Sequence, residues 1–190
     1  MNLSKKQYTF KKTLEDIAHI LNKHNIEFFL VCGTALGAHR EGKFIEHDKD
    51  IDIGIFSHNH DISFVVKKIL ESNIFNLYKH YPETEKEITR NTGEVTLIHN
   101  KTKIHVDIFN IIKYNTKYIR YTYGSICENK PGGRCEYIFP VILETILFMG
   151  NEYLIPGINY IESEYGPSWK KPRKYTYEEG IKYNLYKSLI

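Results

Sequence analysis

The residues best suited to chemistry in this 190-residue chain are two aspartates that alternate with isoleucines. Asp50, Ile51, Asp52 and Ile53 follow one another, and such alternation of polar and apolar residues is typical of a half-buried β-strand. The isoleucines of that strand, continued by Ile55, would face a core, and the two aspartates would share the opposite face. Paired carboxylates favour a hard cation, since Mg²⁺ is typically held by one or two carboxylates together with substrate phosphates.

A glycine and a threonine at the end of an apolar run precede these acids in the chain. Glycine has no Cβ, and a helix start presents unpaired N–H donors, so a Gly33–Thr34 turn before a short helix would bind a phosphate. Arg40, in the helix expected over residues 34–40, has the planar guanidinium that matches a phosphate, although a solvated helix residue explains it equally well. A strand, a glycine turn, a helix and a strand with Asp-x-Asp form the layout of nucleotidyltransferase-type enzymes.

A third aspartate lies in a second alternating stretch. Ile104, Val106 and Ile108 fall on one face of a predicted strand, so His105 and Asp107 fall on the other. If this strand neighbours the first, Asp107 completes a triad of carboxylates that would bind one or two Mg²⁺ or Mn²⁺ ions. The alternative is an acid on an exposed strand face.

Three blocks of the chain resemble the LicD family, which includes fukutin and fukutin-related protein. The blocks are residues 32–45, residues 47–55 and the His-Val-Asp-Ile-Phe of residues 105–109, with weaker support from Tyr165 to Trp169 and Pro172. The resemblance implies an α+β nucleotidyltransferase-like fold, a mixed β-sheet flanked by helices with a C-terminal hairpin and helix added. It also implies that Asp50, Asp52 and Asp107 are the catalytic and metal-binding acids.

The resemblance further implies transfer of a phospho-alcohol, of the phosphocholine, ribitol phosphate or glycerol phosphate type, from a CDP-activated donor to a glycan hydroxyl with release of CMP. The residue types alone leave open a nucleotidyltransferase that moves NMP from an NTP, and a non-catalytic nucleotide- or glycan-binding module. Besides Gly33, Thr34 and Arg40, we expect substrate contacts from Gly37, Lys43 and Asp48, with Asp48 next to the metal ligands.

Composition and charge limit the other possibilities. Apolar residues make up 42% and charged residues 26% of the chain, as in globular proteins, and the net charge of +3 is too mild and dispersed to suggest a nucleic-acid partner. Three cysteines do not form a disulfide framework; Cys32 is expected in the core, and Cys127 and Cys135 lack the spacing of a zinc site. With no signal peptide or transmembrane run, we expect a cytoplasmic protein of undetermined oligomeric state.

The length of the chain predicts one domain over residues 1–190, with a core of about residues 10–125 and a C-terminal elaboration of about residues 126–190. Residues 27–32 are nearly all apolar and are expected to form a central strand covered on both faces. Residues 128–135 are expected to be a loop rich in turns. The other predicted elements are helices at 10–24, 60–72 and 158–165, strands at 74–80 and 118–123, and hairpins at 94–113 and 145–155.

Overall fold

The computed structural model describes residues 4–83, 85–115, 117–123, 133–138 and 142–174. No helix in these segments combines the length and the apolar character needed to cross a membrane. The described elements are, in chain order, α1 (Lys5–Lys23), β1 (Phe29–Leu30), α2 (Cys32–Glu41), β2 (Asp50–Phe56), α3 (Ile62–Glu71), β3 (Phe75–Tyr81), β4 (Glu94–His99), β5 (His105–Tyr114), β6 (Lys117–Thr122), β7 (Gly133–Ile138), β8 (Leu143–Phe148), β9 (Asn151–Pro156) and α4 (Ile158–Tyr165).

The main sheet is mixed. Its strands follow the order β1-β2-β5-β4-β3. Strand β6 pairs with the C-terminal end of β5 and also with β7. Strands β2 and β5 are parallel, while the other pairs are antiparallel. A parallel pair needs a crossover, which α3, β3 and β4 supply here. Strands β8 and β9 form a separate hairpin, followed by α4, so the expected mixed sheet with flanking helices and a C-terminal hairpin and helix is confirmed.

One face of the main sheet is the core. The side chains of Ile51, Ile53 and Ile55 are 0% exposed, as the alternation predicts. Helices α1 and α3 contribute their apolar stripes to the same core, and His99 on β4 contacts Asp16 on α1 at 3.1 Å. Because strand side chains alternate, the opposite face, which we call the site face, carries Asp50 and Asp52 of β2, Glu94 and Thr96 of β4, and His105 and Asp107 of β5.

The apolar stretch at residues 27–32 differs from its prediction. Only Phe29 and Leu30 form a strand, and this strand lies at the edge of the main sheet, paired with β2. Its apolar side chains are buried because the β8–β9 hairpin packs beside it, with the ring of Tyr153 6.3 Å from that of Phe28. A run of apolar residues therefore indicated burial correctly and a central position wrongly.

The predicted loop at residues 128–135 is also corrected in part. Residues 133–138 form strand β7, which pairs with β6 in antiparallel register. Cys127 and the loop residues 128–132 lie outside the described residues. The turn-forming residues Pro131, Gly132 and Gly133 suggested a longer irregular segment, but pairing with β6 extends the sheet to Gly133.

Candidate active site

The structure brings the three predicted aspartates together on the site face. Strands β2 and β5 are neighbours, with Asp52 directly opposite Asp107 and Asp50 opposite His105. Residues opposite each other in a pair of strands, and residues two apart in one strand, share a face. The three carboxylates therefore project from one surface, although Asp107 is more than fifty residues away from the other two in sequence.

The N-terminal turn of α2 lies against these acids. A Cβ added to Gly33 would lie 2.8 Å from Oδ2 of Asp48 and 3.2 Å from Oδ2 of Asp52. The glycine is required because these carboxylates occupy the space of a side chain. The structure thus places Asp48 beside Asp52, while its predicted role next to a metal ion stays a prediction.

Thr34 joins α2 to strand β2 by two main hydrogen bonds. The backbone N–H of Asp52 donates to Oγ1 of Thr34 at 2.8 Å, and the N–H of Thr34 donates to Oδ2 of Asp52 at 3.2 Å. The predicted turn is thus the first turn of a helix that begins at Cys32. Thr34 is 2% exposed, so in this structure it positions Asp52; its predicted contact with a phosphate stays a prediction.

Burial and mutual repulsion disfavour the charged forms of these acids. Burial, with repulsion from Asp50, raises the pKa of Asp107 to about 6 and that of Asp48 to about 6. Burial and the charges of Asp50, Asp107 and Asp48 also raise the pKa of Asp52 well above its usual range, against the opposing hydrogen bond from Thr34. A cation among these groups would relieve the repulsion.

The donor set has the chemistry of a site for a hard cation. All the clustered ligand atoms are carboxylate oxygens, the type that Mg²⁺ and Mn²⁺ prefer, and Oδ1 of Asp107 is buried without a hydrogen-bond partner from the described part of the chain. Within the described segments, however, the side chains do not form a group of three or more His, Cys, Asp or Glu residues arranged to hold a metal ion. The residues fit the ion in chemical type and location, and their rotamers would have to adjust on binding.

Two further charged residues, which the sequence analysis did not single out, lie on the site face. Glu94 on β4 faces Phe109 of β5, and Lys79 on β3 faces Thr96, which in turn faces Asp107. Burial and the charge of Asp107 raise the pKa of Glu94 to about 8. The signal was present, because Glu94 and Thr96 alternate with the buried Val95 and Leu97, but only strand order shows that they adjoin Asp107.

Three other predicted substrate residues lie outside this acidic group. The guanidinium of Arg40 donates to Oε1 of Glu41 at 2.6 Å and to the carbonyl oxygen of Trp169 at 3.4 Å. A Cβ on Gly37 would lie 2.7 Å from the carbonyl oxygen of Lys43, so close packing explains this glycine, and Lys43 itself is exposed. Substrate contacts by Arg40, Gly37 and Lys43 stay predictions.

Helix α4 contacts the start of α2. The N–H of Cys32 donates to the hydroxyl of Tyr160 at 3.0 Å, and Arg120 donates to Sγ of Cys32 at 3.1 Å and to both carboxylate oxygens of Glu164 at 3.0 and 3.1 Å. Cys32, expected in a strand, is instead the first residue of α2, with a φ of 45°. The C-terminal helix therefore helps to hold the turn that carries Gly33.

Comparisons with known proteins agree with this arrangement. Residues 25–157 match the family model described as "LicD/FKTN/FKRP, nucleotidyltransferase domain". The chain is 26% identical to the ribitol-5-phosphate transferase FKTN of Macaca fascicularis and 25% identical to that of Homo sapiens, over 167 residues in each case. These matches cover 86% of this chain and 34% of each relative, so the chain spans about a third of their length.

Solved structures show the same fold. The lincosamide antibiotic adenylyltransferase LnuA superposes with a TM-score of 0.54 at 16% identity, covering 96% of both chains. The antibiotic-resistance factor ANT(2'')-Ia superposes with a TM-score of 0.53 at 11% identity, covering 93% of this chain and 82% of that chain. The nucleotidyltransferase-like fold is thus confirmed, and the match over residues 25–157 shows that the chain belongs to the LicD family, a family of transferases of phosphorus-containing groups.

Proposed function

We propose that this protein transfers a phospho-alcohol from a CDP-activated donor to a hydroxyl of a glycan and releases CMP. The observation that carries the proposal is the placement of Asp50, Asp52 and Asp107 on one sheet face beside Gly33. Membership of the LicD family and the similarity to ribitol-5-phosphate transferases support a phospho-alcohol as the transferred group.

Asp50, Asp52 and Asp107 would hold Mg²⁺ or Mn²⁺, which when bound would neutralise charge on the transferring phosphoryl group. The N–H of Gly33 lies in the first turn of α2, where donors face outward, and it is the group suited to a phosphate oxygen of the donor. Thr34 keeps the backbone of Asp52 fixed relative to that turn. Positioning of this kind supplies much of the acceleration in phosphoryl transfer.

Asp107 is suited to act on the acceptor. In the proposed reaction the acceptor oxygen forms a bond to the phosphorus that carries the alcohol, the bond from that phosphorus to the CMP oxygen breaks, and the hydroxyl proton leaves. Asp107 lies directly opposite Asp52, so its carboxylate would stand beside both the cation and an approaching hydroxyl. It can therefore accept the proton or orient the hydroxyl.

Incubation with Mn²⁺ and separate donors tests the proposal. CDP-ribitol, CDP-choline, CDP-glycerol, CTP and ATP are each supplied with a mixture of glycan acceptors, and nucleotide products are separated by chromatography. We expect CMP from at least one CDP-alcohol, and no CMP from Asp107→Asn. The matched control Glu152→Gln changes an exposed carboxylate on β9 and should keep wild-type turnover.

The products distinguish the alternatives. Pyrophosphate from CTP or ATP, without CMP from any CDP-alcohol, would replace the proposal by nucleotidyl transfer. Absence of both products, with CDP still bound, would favour a non-catalytic binding module. CMP release at an equal rate from Asp107→Asn would remove the assignment of the third acid.

A further inference from the structure

A β-bulge in β3 adds an aromatic residue to the site face. Leu77 is opposite Leu97 and Lys79 is opposite Thr96, so one extra residue, Tyr78, is inserted between two consecutive positions of β4. A bulge of this kind redirects side chains and is common beside active sites. Here the ring of Tyr78 lies 4.5 Å from the ring of His105, which is a residue of the site face.

The two rings begin next to the acids and extend away from them. His105 is directly opposite Asp50, and Tyr78 lies beyond His105 toward the edge of the sheet. Tyr78 remains 57% exposed despite this contact. We call Tyr78 and His105 the aromatic platform. Its tyrosine thus presents a large ring surface to solvent on the face that carries the acids.

Polar groups accompany the platform. Glu94 is partly buried on the same face, and its carboxylate has no hydrogen-bond or ion-pair partner among the described residues. Lys79 donates to the hydroxyl of Tyr81 at 2.9 Å and lies 4.8 Å from the centre of its ring. A carboxyl group without a partner in this position has oxygen atoms available for hydrogen bonds to a ligand.

If the proposed function is correct, the order of the strands places the platform and Glu94 on the side of the acceptor, opposite the donor. Gly33 and the start of α2 lie on the β2 side of the acids, where the donor phosphate would bind. The platform and Glu94 lie on the other side, over β5, β4 and β3. Because the attacking and leaving oxygens are roughly in line in phosphoryl transfer, the attacking hydroxyl would approach from the platform side.

We propose that the aromatic platform and Glu94 form the acceptor subsite and bind a sugar ring of the glycan. A pyranose has one face of C–H groups, which packs on an aromatic ring, and an edge of hydroxyl groups, which can form hydrogen bonds with a carboxyl group. Tyr78 supplies the first contact and Glu94 the second. The tyrosine ring is suited to this role because it offers a rigid contact surface with a polar tip.

Binding can be measured without turnover by saturation-transfer NMR. The probes are the methyl glycosides of glucose, galactose, mannose and N-acetylglucosamine, each added to metal-free protein. We expect at least one probe to receive saturation from the wild type and from Tyr78→Phe, which keeps the ring. Tyr78→Ala should bind that probe about tenfold more weakly. Tyr8→Ala, which changes a tyrosine of α1 that is 62% exposed, should bind like the wild type.

A parallel titration with CDP separates this proposal from the proposed function. We expect Tyr78→Ala to bind CDP like the wild type and to bind the glycoside about tenfold more weakly. Loss of CDP binding in Tyr78→Ala would assign the platform to the donor base and overturn the acceptor subsite. Equal glycoside binding by wild type and Tyr78→Ala, or no binding of any glycoside to the wild type, would also overturn it. Failure of CMP release alone would refute the proposed chemistry and leave the sugar-binding result to be judged separately.

Discussion

Replacement of Asp107 by asparagine should make the metal-free protein more stable at alkaline pH. The substitution removes one charge from a cluster that also contains Asp50, Asp52 and Glu94, while it keeps nearly the same side-chain shape. The new amide group can donate to the remaining carboxylates. A loss of function combined with a gain of stability is the behaviour expected of a site whose charges are held together for a ligand.

The size of the effect follows from the pKa. Folding raises the pKa of Asp107 from 3.8 to about 6, and each pKa unit corresponds to about 1.4 kcal/mol. The ionised carboxylate therefore costs the folded state up to about 3 kcal/mol, and solvent screening at this partly exposed position reduces the cost to about 1–3 kcal/mol.

The sign with pH can be worked out from the same shift. Between the unfolded and folded pKa values of Asp107 the folded protein binds more protons than the unfolded chain, so stability falls as pH rises through this interval. We expect Asp107→Asn to exceed the wild type by about 1–3 kcal/mol at about pH 8 and by about half as much at about pH 5, because the cost vanishes only below the unfolded pKa of 3.8. Burial raises the pKa of Glu94 further, to about 8, so ionisation of Glu94 lowers the stability of both proteins up to about that pH.

Urea unfolding in the presence of EDTA, followed by circular dichroism at both pH values, measures the difference. Mn²⁺ should then stabilise the wild type more than Asp107→Asn, because the variant lacks one proposed ligand. An equal destabilisation of Asp107→Asn at both pH values would show that the carboxylate is not held among like charges, and the electrostatic reasoning would fail.

Two substitutions in the first turn of α2 separate packing from hydrogen bonding. Gly33→Ala should slow CMP release by at least about tenfold with retained folding, because its Cβ would displace the carboxylates of Asp48 and Asp52. The control is Gly157→Ala, where an added Cβ would lie 3.9 Å from its nearest neighbour. Unchanged turnover in Gly33→Ala would contradict the proposed close approach. Thr34→Val should lower the free energy of unfolding by about 1–3 kcal/mol, since it leaves the buried N–H of Asp52 without its acceptor. Thr34→Ser keeps that acceptor and should lose less in the same urea experiment, so equal losses would exclude the hydrogen bond as the cause.

Sequence alone determined the local part of the site. The faces of β2 and β5 follow from a period of two residues, so Ile51 and Ile53 could be assigned to the core and Asp50 and Asp52 to the opposite side. Periodicity is a property of neighbouring residues and needs no knowledge of distant contacts. The motif around Gly33 likewise indicated a helix start near these acids.

Tertiary structure decided which strands are neighbours. The pairing of Asp52 with Asp107 depends on a parallel crossover, and the position of Glu94 depends on β4 lying beside β5. The edge position of β1 and the bulge at Tyr78 arise from pairing and packing with distant segments. Alternation assigns a residue to a face, whereas strand order and register are set by contacts between residues far apart in sequence, which is why only the folded chain joined these groups into one site.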